Sequence, residues 1–278
     1  MSAAKALRPV AGKLVRSVLK GLAATGLASR LMRNAAFDVV GLEWRWAKDE
    51  PFVSRGLVVE RTIGGVPVRF FVIDENDHLQ QHHMFGKWYE ADELKLMAGH
   101  FDGGLFVDIG ANVGNHTLYA ALVMKAARVI AFEPNPPAYK ACQYSVLLNQ
   151  LGDRVTVHNV GLSDADEQAH VRWSGERNLG ATQLETGAGG LVLKRGDDLL
   201  AGEMPSMIKI DVEALEMKVL GGLTETIERA RPALFVEVDF ANETAFRAYL
   251  QSVGYEIAIT IPAAGNTNYL CRPAPREG

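Results

Sequence analysis

Two cysteines in 278 residues, Cys142 and Cys271, are too few for a disulfide framework. They carry no metal-ligand spacing, and so read as ordinary thiols of a reducing compartment. No apolar run reaches the roughly 20 residues that a membrane-spanning helix needs. Internal repeats and low-complexity tracts are also missing. No Asp or Glu precedes Asp38, whereas Lys5, Arg8, Lys13, Arg16, Lys20, Arg30 and Arg33 give residues 1–37 a charge of +7. The remainder holds 22 basic against 33 acidic residues, a net −11 beneath the formal −4 of the whole chain. An acidic body repels a phosphate backbone, which argues against a nucleic-acid partner. What is present is a composition 48% hydrophobic and 22% charged. That supports a folded core, as one large domain or a domain with an extension, and argues against disorder.

The basic leader, "KALRPVAGKLVRSVLKGLA", repeats Leu7, Val10, Leu14, Val18 and Leu22 at helical spacing, with its cations on the other face. An amphipathic helix over residues 1–37 fits three roles. It packs on the body, it lies on an anionic membrane surface through residues 1–33, or it is an organelle transit peptide. The chain is therefore expected in the cytoplasm, peripheral on the inner membrane surface if the second role holds. Oligomeric state is not legible.

Residues 38–99 form a preface. "LVVERTI" and "VPVRFFV" flank Gly64-Gly65 as a β-hairpin, and Ala91 to Ala98 is helical in pattern. From residue 100 to 272, short apolar strands alternate with helices, the signature of a parallel sheet covered on both faces. "RVTVHNVGLSD" reads as the third strand and "LEMKVLGGLTETIERA" as one helix. "YEIAITI" and "NYLCR" close the domain as a hairpin, and residues 273–278 are a frayed tail. Residues 164–205 interrupt the alternation with a Gly-, Thr-, Asn- and Gln-bearing loop that suits the substrate side, or is a plain surface hairpin.

The strand "LFVDIG" runs into a turn, Gly110 to Gly114, and then a helix. Ligands of open parallel sheets bind beyond the carboxyl ends of the strands, where strand order reverses. A dinucleotide turn, G-x-G-x-x-G, needs glycine where this chain has Asn112, and the Gly-Lys-Ser/Thr of a P-loop is missing. Asp108 adds a carboxylate that suits a cation better than a pyrophosphate. Glu133, 19 residues after Gly114, ends the second strand, where an acid accepts the hydroxyls of a ribose. A nucleoside with a cationic amino-acid end meets both demands, and S-adenosylmethionine is such a molecule.

Four stretches, "VDIGANVGNHTLYAA", "VIAFEPNP", "NVGLSD" and "IKIDVEALEMKVLGGL", together resemble the FkbM-type S-adenosylmethionine-dependent methyltransferases. The resemblance spans roughly Tyr89 to Leu270. It implies a Rossmann-like class I methyltransferase fold, an α/β architecture whose seven-stranded, mostly parallel sheet has an antiparallel last strand. It also implies O-methylation of a hydroxyl, on a glycan or glycolipid sugar or on a polyketide or other small molecule. Asp108, Gly110, Asn112 and Gly114 are then the methionine-end site, and Glu133, with Pro134 and Asn135, the ribose site. Gly161, Leu162 and Ser163, closing the third strand, border adenine, and the region of Tyr89 and Glu90 covers the cofactor. One departure stands at Ala214, where the family usually has glycine.

An alcohol becomes a good nucleophile as its proton leaves, so a base near the transferred methyl is expected. Asp211, Glu213 and His116 are the candidates; each also has a plainer role, as cofactor contact, helix-start acid or satisfied histidine. Glu237 ends the fifth strand and could face the substrate. His78, His82 and His83 lack the partners of a zinc motif such as H-E-x-x-H, so no metal site is expected. A non-catalytic cofactor-binding protein and a dinucleotide-dependent oxidoreductase are the rivals of another class; Asn112 argues against the second.

Overall fold

The computed structural model describes residues 56–175 and 178–275, with short extended pieces at 37–38, 42–43 and 53–54. The expected leader helix lies outside the described residues. The chain divides into two units, Met1–Asp38 and Val39–Gly278, and the second carries a hairpin, the main sheet and its helices.

Strands β1 (Leu57–Ile63) and β2 (Val66–Val72) pair antiparallel around Gly64-Gly65. The two glycines take φ of +57° and +82°, the left-handed values that a two-residue hairpin turn requires. Helices α1 (His78–Met84) and α2 (Ala91–Ala98) come next. The alternating region supplies β3 (Leu105–Ile109), α3 (Asn115–Leu122), β4 (Arg128–Phe132), α4 (Pro136–Leu148) and β5 (Val155–His158). After it come β6 (Gly161–Ser163), β7 (Glu167–Gly175), β8 (Asn178–Thr186) and β9 (Leu191–Arg195). The last third holds β10 (Pro205–Ile210), α5 (Glu216–Gly221), α6 (Thr224–Ala230) and β11 (Ala233–Asp239). Helix α7 (Glu243–Ser252) and strands β12 (Tyr255–Pro262) and β13 (Asn266–Pro273) complete it.

The main sheet has seven strands in the order β12-β13-β11-β10-β3-β4-β5. β13 alone runs against its neighbours, pairing antiparallel with both β11 and β12. Chain order departs in opposite directions from the β3–β10 pair, so the reversal point lies between these two strands. This is the α/β class I methyltransferase topology expected from the sequence.

The period of two sorts the core. Leu105, Val107 and Ile109 share a face with Ile208, Ile210, Leu234 and Val236, beneath Leu220 of α5, Ile227 of α6 and Phe246 of α7. Phe106, Met207 and Phe235 take the opposite face, with Leu118 of α3, Cys142 of α4, and Val59 and Phe70 of the hairpin. Each fully buried aliphatic or aromatic side chain contributes about 1.5–3 kcal/mol. Asp108 and Lys209 lie opposite each other in the register and, two residues on from Phe106 and Met207, belong to the hairpin face.

Two elements differ from the sequence reading. The third strand stops at His158, and Gly161–Ser163 leaves the main sheet to pair with β9 in a four-stranded sheet, β8-β7-β9-β6. The single helix expected after the fourth strand is broken between α5 and α6 at Gly222-Leu223. A Cβ on Gly222 would lie 1.9 Å from the Ser163 carbonyl oxygen, so the break is where this backbone packs against the end of β6.

Candidate active site

Two cavities adjoin at the carboxyl ends of β3, β4, β10 and β11. The larger, ≈640 Å³, runs from the β3 turn past Glu133 to the four-stranded sheet. The smaller, ≈490 Å³, lies under Tyr89, Glu90 and His116. Gly110, Asn112, Asp211 and Glu213 line both.

The turn after β3 is shaped by close approach. Gly110 has φ +78°, and a Cβ there would sit 1.8 Å from the Asp211 carbonyl oxygen. No side chain fits between the ends of β3 and β10. Gly114 (φ +94°) caps α3 and packs on Cys142 rather than lining a cavity. Asn112 is itself left-handed (φ +49°), and its Oδ1 is buried with no partner.

Glu133 is 7% exposed, and its two oxygens accept backbone N–H bonds from Asn112 and Asn135, each at 2.8 Å. Burial pushes its carboxyl up to about 7 even so. Two of the roughly four lone-pair sites of the carboxylate are thereby used. Pro134, Asn135, Gly161 and Leu162 line the same cavity. Ser163 does not; its buried hydroxyl donates to Glu167, with the Asp164 carboxylate 3.2 Å away. Residues 164–205, expected on the substrate side, contribute Thr182, Leu184 and Leu193 to the lining of this larger cavity.

Asp108 is fully buried and faces neither cavity. It accepts from Thr117 Oγ1 at 2.6 Å and lies 3.5 Å from Lys209 Nζ. Lys209, 2% exposed, donates to the Gly110 carbonyl at 2.9 Å and stands 3.1 Å from Asp211 Oδ2. Burial pushes this amine down, but the Asp211, Asp108 and Glu90 carboxylates outweigh it and hold it above its ordinary value. So Asp108 fixes the turn at second hand, through a lysine that the sequence pattern did not single out. A lone Lys inside the apolar strand "MIKI" was the available signal.

Around the smaller cavity, burial and then Asp211 push Glu90 and Glu213 each up to about 7, and raise Glu237 further. Glu90 (φ +53°) and Glu213 (φ +47°) are left-handed, an uncommon state for bulky side chains. Ala214 follows at φ +72°, the physical reason a glycine suits that position. His116 Nε2 is buried without a hydrogen-bond partner, 3.6 Å from Glu90 Oε2. Burial, then Lys209, holds His116 well below the ordinary histidine range. Tyr89 and Glu90 thus line the smaller cavity rather than the larger. Asn115 ties them down: its Nδ2 donates to the Tyr89 carbonyl and its Oδ1 accepts from the Tyr89 N–H. His83 is buried against Phe70 and hydrogen-bonds Asn115. His78 and His82 pack edge-on to Tyr89.

A family profile described as "Methyltransferase FkbM domain" matches residues 108–257. The AMB antimetabolite synthetase AmbE of Pseudomonas aeruginosa is 26% identical over 251 residues, covering 72% of this chain and 12% of that protein. Methyltransferase 1 of Beauveria bassiana is 28% identical over 58% of this chain and 76% of that protein. The hexuronic acid methyltransferase AglP of Haloferax volcanii is 32% identical over 44% of this chain and 50% of that protein. Among solved structures, a methyltransferase FkbM from Methylobacillus flagellatus KT aligns with a TM-score of 0.47 at 18% identity, over 69% of this chain and 52% of that one.

Proposed function

This chain belongs to the FkbM methyltransferase family, whose cofactor is S-adenosylmethionine, and we propose that it methylates a hydroxyl of a sugar in a glycan or glycolipid. The residues of the larger cavity fit that cofactor. Glu133 keeps unused lone pairs toward the cavity for two ribose hydroxyls, and the orphaned Asn112 Oδ1 offers an acceptor for a cationic end. Leu162, Leu184 and Leu193 supply apolar walls for a flat base. When bound, the cofactor supplies an electrophilic methyl group.

The observation that carries the reading is the shared wall. Asp211, Glu213, Gly110 and Asn112 stand between the cofactor-sized cavity and a second cavity lined by carboxylates. An acceptor oxygen in the smaller cavity would meet the methyl across Asp211. The chain's part is orientation, plus removal of the acceptor proton by a group within hydrogen-bonding reach. Asp211 is the foremost candidate; Glu213 and His116 face the same space. Hydroxyls of a sugar are donors that suit such an acceptor-rich lining, and the likeness to a hexuronic acid methyltransferase supports the same class.

The test is a panel of glycan acceptors with labelled S-adenosylmethionine, run on wild type and Asp211→Asn. Transfer to a sugar hydroxyl that drops about 10²–10⁴-fold in kcat in the variant is the expected result. Full activity of Asp211→Asn would remove Asp211 from the proton step. Transfer confined to non-sugar acceptors would remove the glycan reading.

A further inference from the structure

One ligand atom each from Asp211, Glu213 and Glu237 lies within 4.8 Å of the other two, and all three residues line the smaller cavity. The three come from different places: the end of β10, the strained loop after it, and β11. Glu90 lines the same cavity, making four carboxyls. Among the lining residues Lys209 is the one fixed cation, and Asp108 and Asp211 already share it. A bound sulfonium cofactor would add a single net positive charge nearby. Four carboxyls thus face one shared amine in a partly buried space, where a bound cation would relieve their mutual repulsion.

A second observation is independent of the acids. His116 Nε2 is buried, has no hydrogen-bond partner and lines this same cavity. It stands 3.6 Å from Glu90 Oε2, too far for a direct bond, and a buried ring nitrogen left without a partner is destabilising. Something that fills the cavity and presents oxygen would satisfy it.

We propose that Asp211, Glu213 and Glu237 hold a divalent cation of the hard, oxygen-preferring class, with the acceptor oxygen or a water on its open positions facing His116. Three carboxylate oxygens at this spacing can converge on one ion at ligand distances of about 2.0–2.6 Å, the range of Mg²⁺, Mn²⁺ or Ca²⁺. They leave about half of an octahedral shell open. The ion would draw a hydroxyl into place and make its proton easier to lose, and a pair of neighbouring sugar hydroxyls could chelate it together. That role toward the acceptor rests on the proposed function; the ion site itself does not.

The experiment titrates the full chain with Mn²⁺ alone, following the electron paramagnetic resonance signal of the free ion, with and without S-adenosylhomocysteine. Glu237 lines the smaller cavity and not the larger, so Glu237→Gln should keep S-adenosylhomocysteine binding, which also shows that the variant is folded. Glu213→Gln is the second variant. The expected result is one Mn²⁺ per chain, weakened at least about tenfold in both variants, with a Mn²⁺-induced rise in thermal midpoint that both variants lose. Mn²⁺ bound equally by wild type and variants would place the ion elsewhere and overturn the proposal. No saturable Mn²⁺ binding by a chain that binds S-adenosylhomocysteine would also overturn it, and would leave the cofactor reading intact. Mn²⁺ binding without S-adenosylhomocysteine binding would sustain the ion site and count against the cofactor reading.

Discussion

Glu133 does two things with one carboxylate. It closes the turn of β3 onto the start of α4 through two backbone N–H bonds, and it keeps lone pairs for a ligand. Burial raises it from an ordinary 4.5 to about 7, with Lys209 opposing and Asp108 adding to the shift. The folded chain therefore keeps a proton that the unfolded chain releases between these values. The group's contribution to stability is present below about 4.5 and is lost as pH rises through about 7. Ligand hydroxyls act the other way, because they donate to the ionised form. Affinity for S-adenosylhomocysteine should thus rise with pH up to about 7 and level off above it. Calorimetric titrations across that range check this, and Glu133→Gln should bind weakly with a flat pH profile. An unchanged slope in the variant would assign the titration to another group.

At the scale of elements, the break between α5 and α6 and the departure of β6 from the main sheet are one event. Gly222 sits against the Ser163–Asp164 backbone, and Gly196 is packed on Leu223 beside it. A methyl at Gly222 must push β6 aside, and β6 pairs with β9, whose Leu193 walls the larger cavity. Gly222→Ala should therefore cost about 1–3 kcal/mol of stability and weaken cofactor binding together. Urea unfolding and the same calorimetric titration test it; a variant of native stability would mean that the contact is slack. The hairpin β1–β2 and the strand alternation were legible beforehand, because period-two patterning and a Gly-Gly turn are local signals. The two breaks were not, since each is imposed by an element distant in sequence.

Across the whole molecule, charge is split between a +7 leader and a body of −11. Among the described residues no helix is long and apolar enough to cross a membrane. Contact with a membrane surface through residues 1–33 is a proposal that rests on the sequence. It predicts that the full chain sediments with anionic vesicles, less so at high salt, and that a chain lacking residues 1–33 stays in solution while still binding S-adenosylhomocysteine. Equal sedimentation of both would assign any membrane contact to the body. The chain spans only 12% of one curated relative and half of another.

The sequence alone determined the strand and helix alternation, the glycine turn, and an acid at the tip of the second strand. Spacing along the chain is enough to specify these, because each depends on backbone needs within a few residues. What only the tertiary structure decided is which side chains meet. Asp108, expected at the ligand, is buried behind Lys209. Tyr89 and Glu90 line the acidic cavity, and the 164–205 stretch walls the larger one. Lys209 meets Asp108, and Asp211 comes within 4.8 Å of Glu237, because β10 lies between β3 and β11 in register. Strand order is set by how helices cover both faces of the sheet, and no local pattern encodes it.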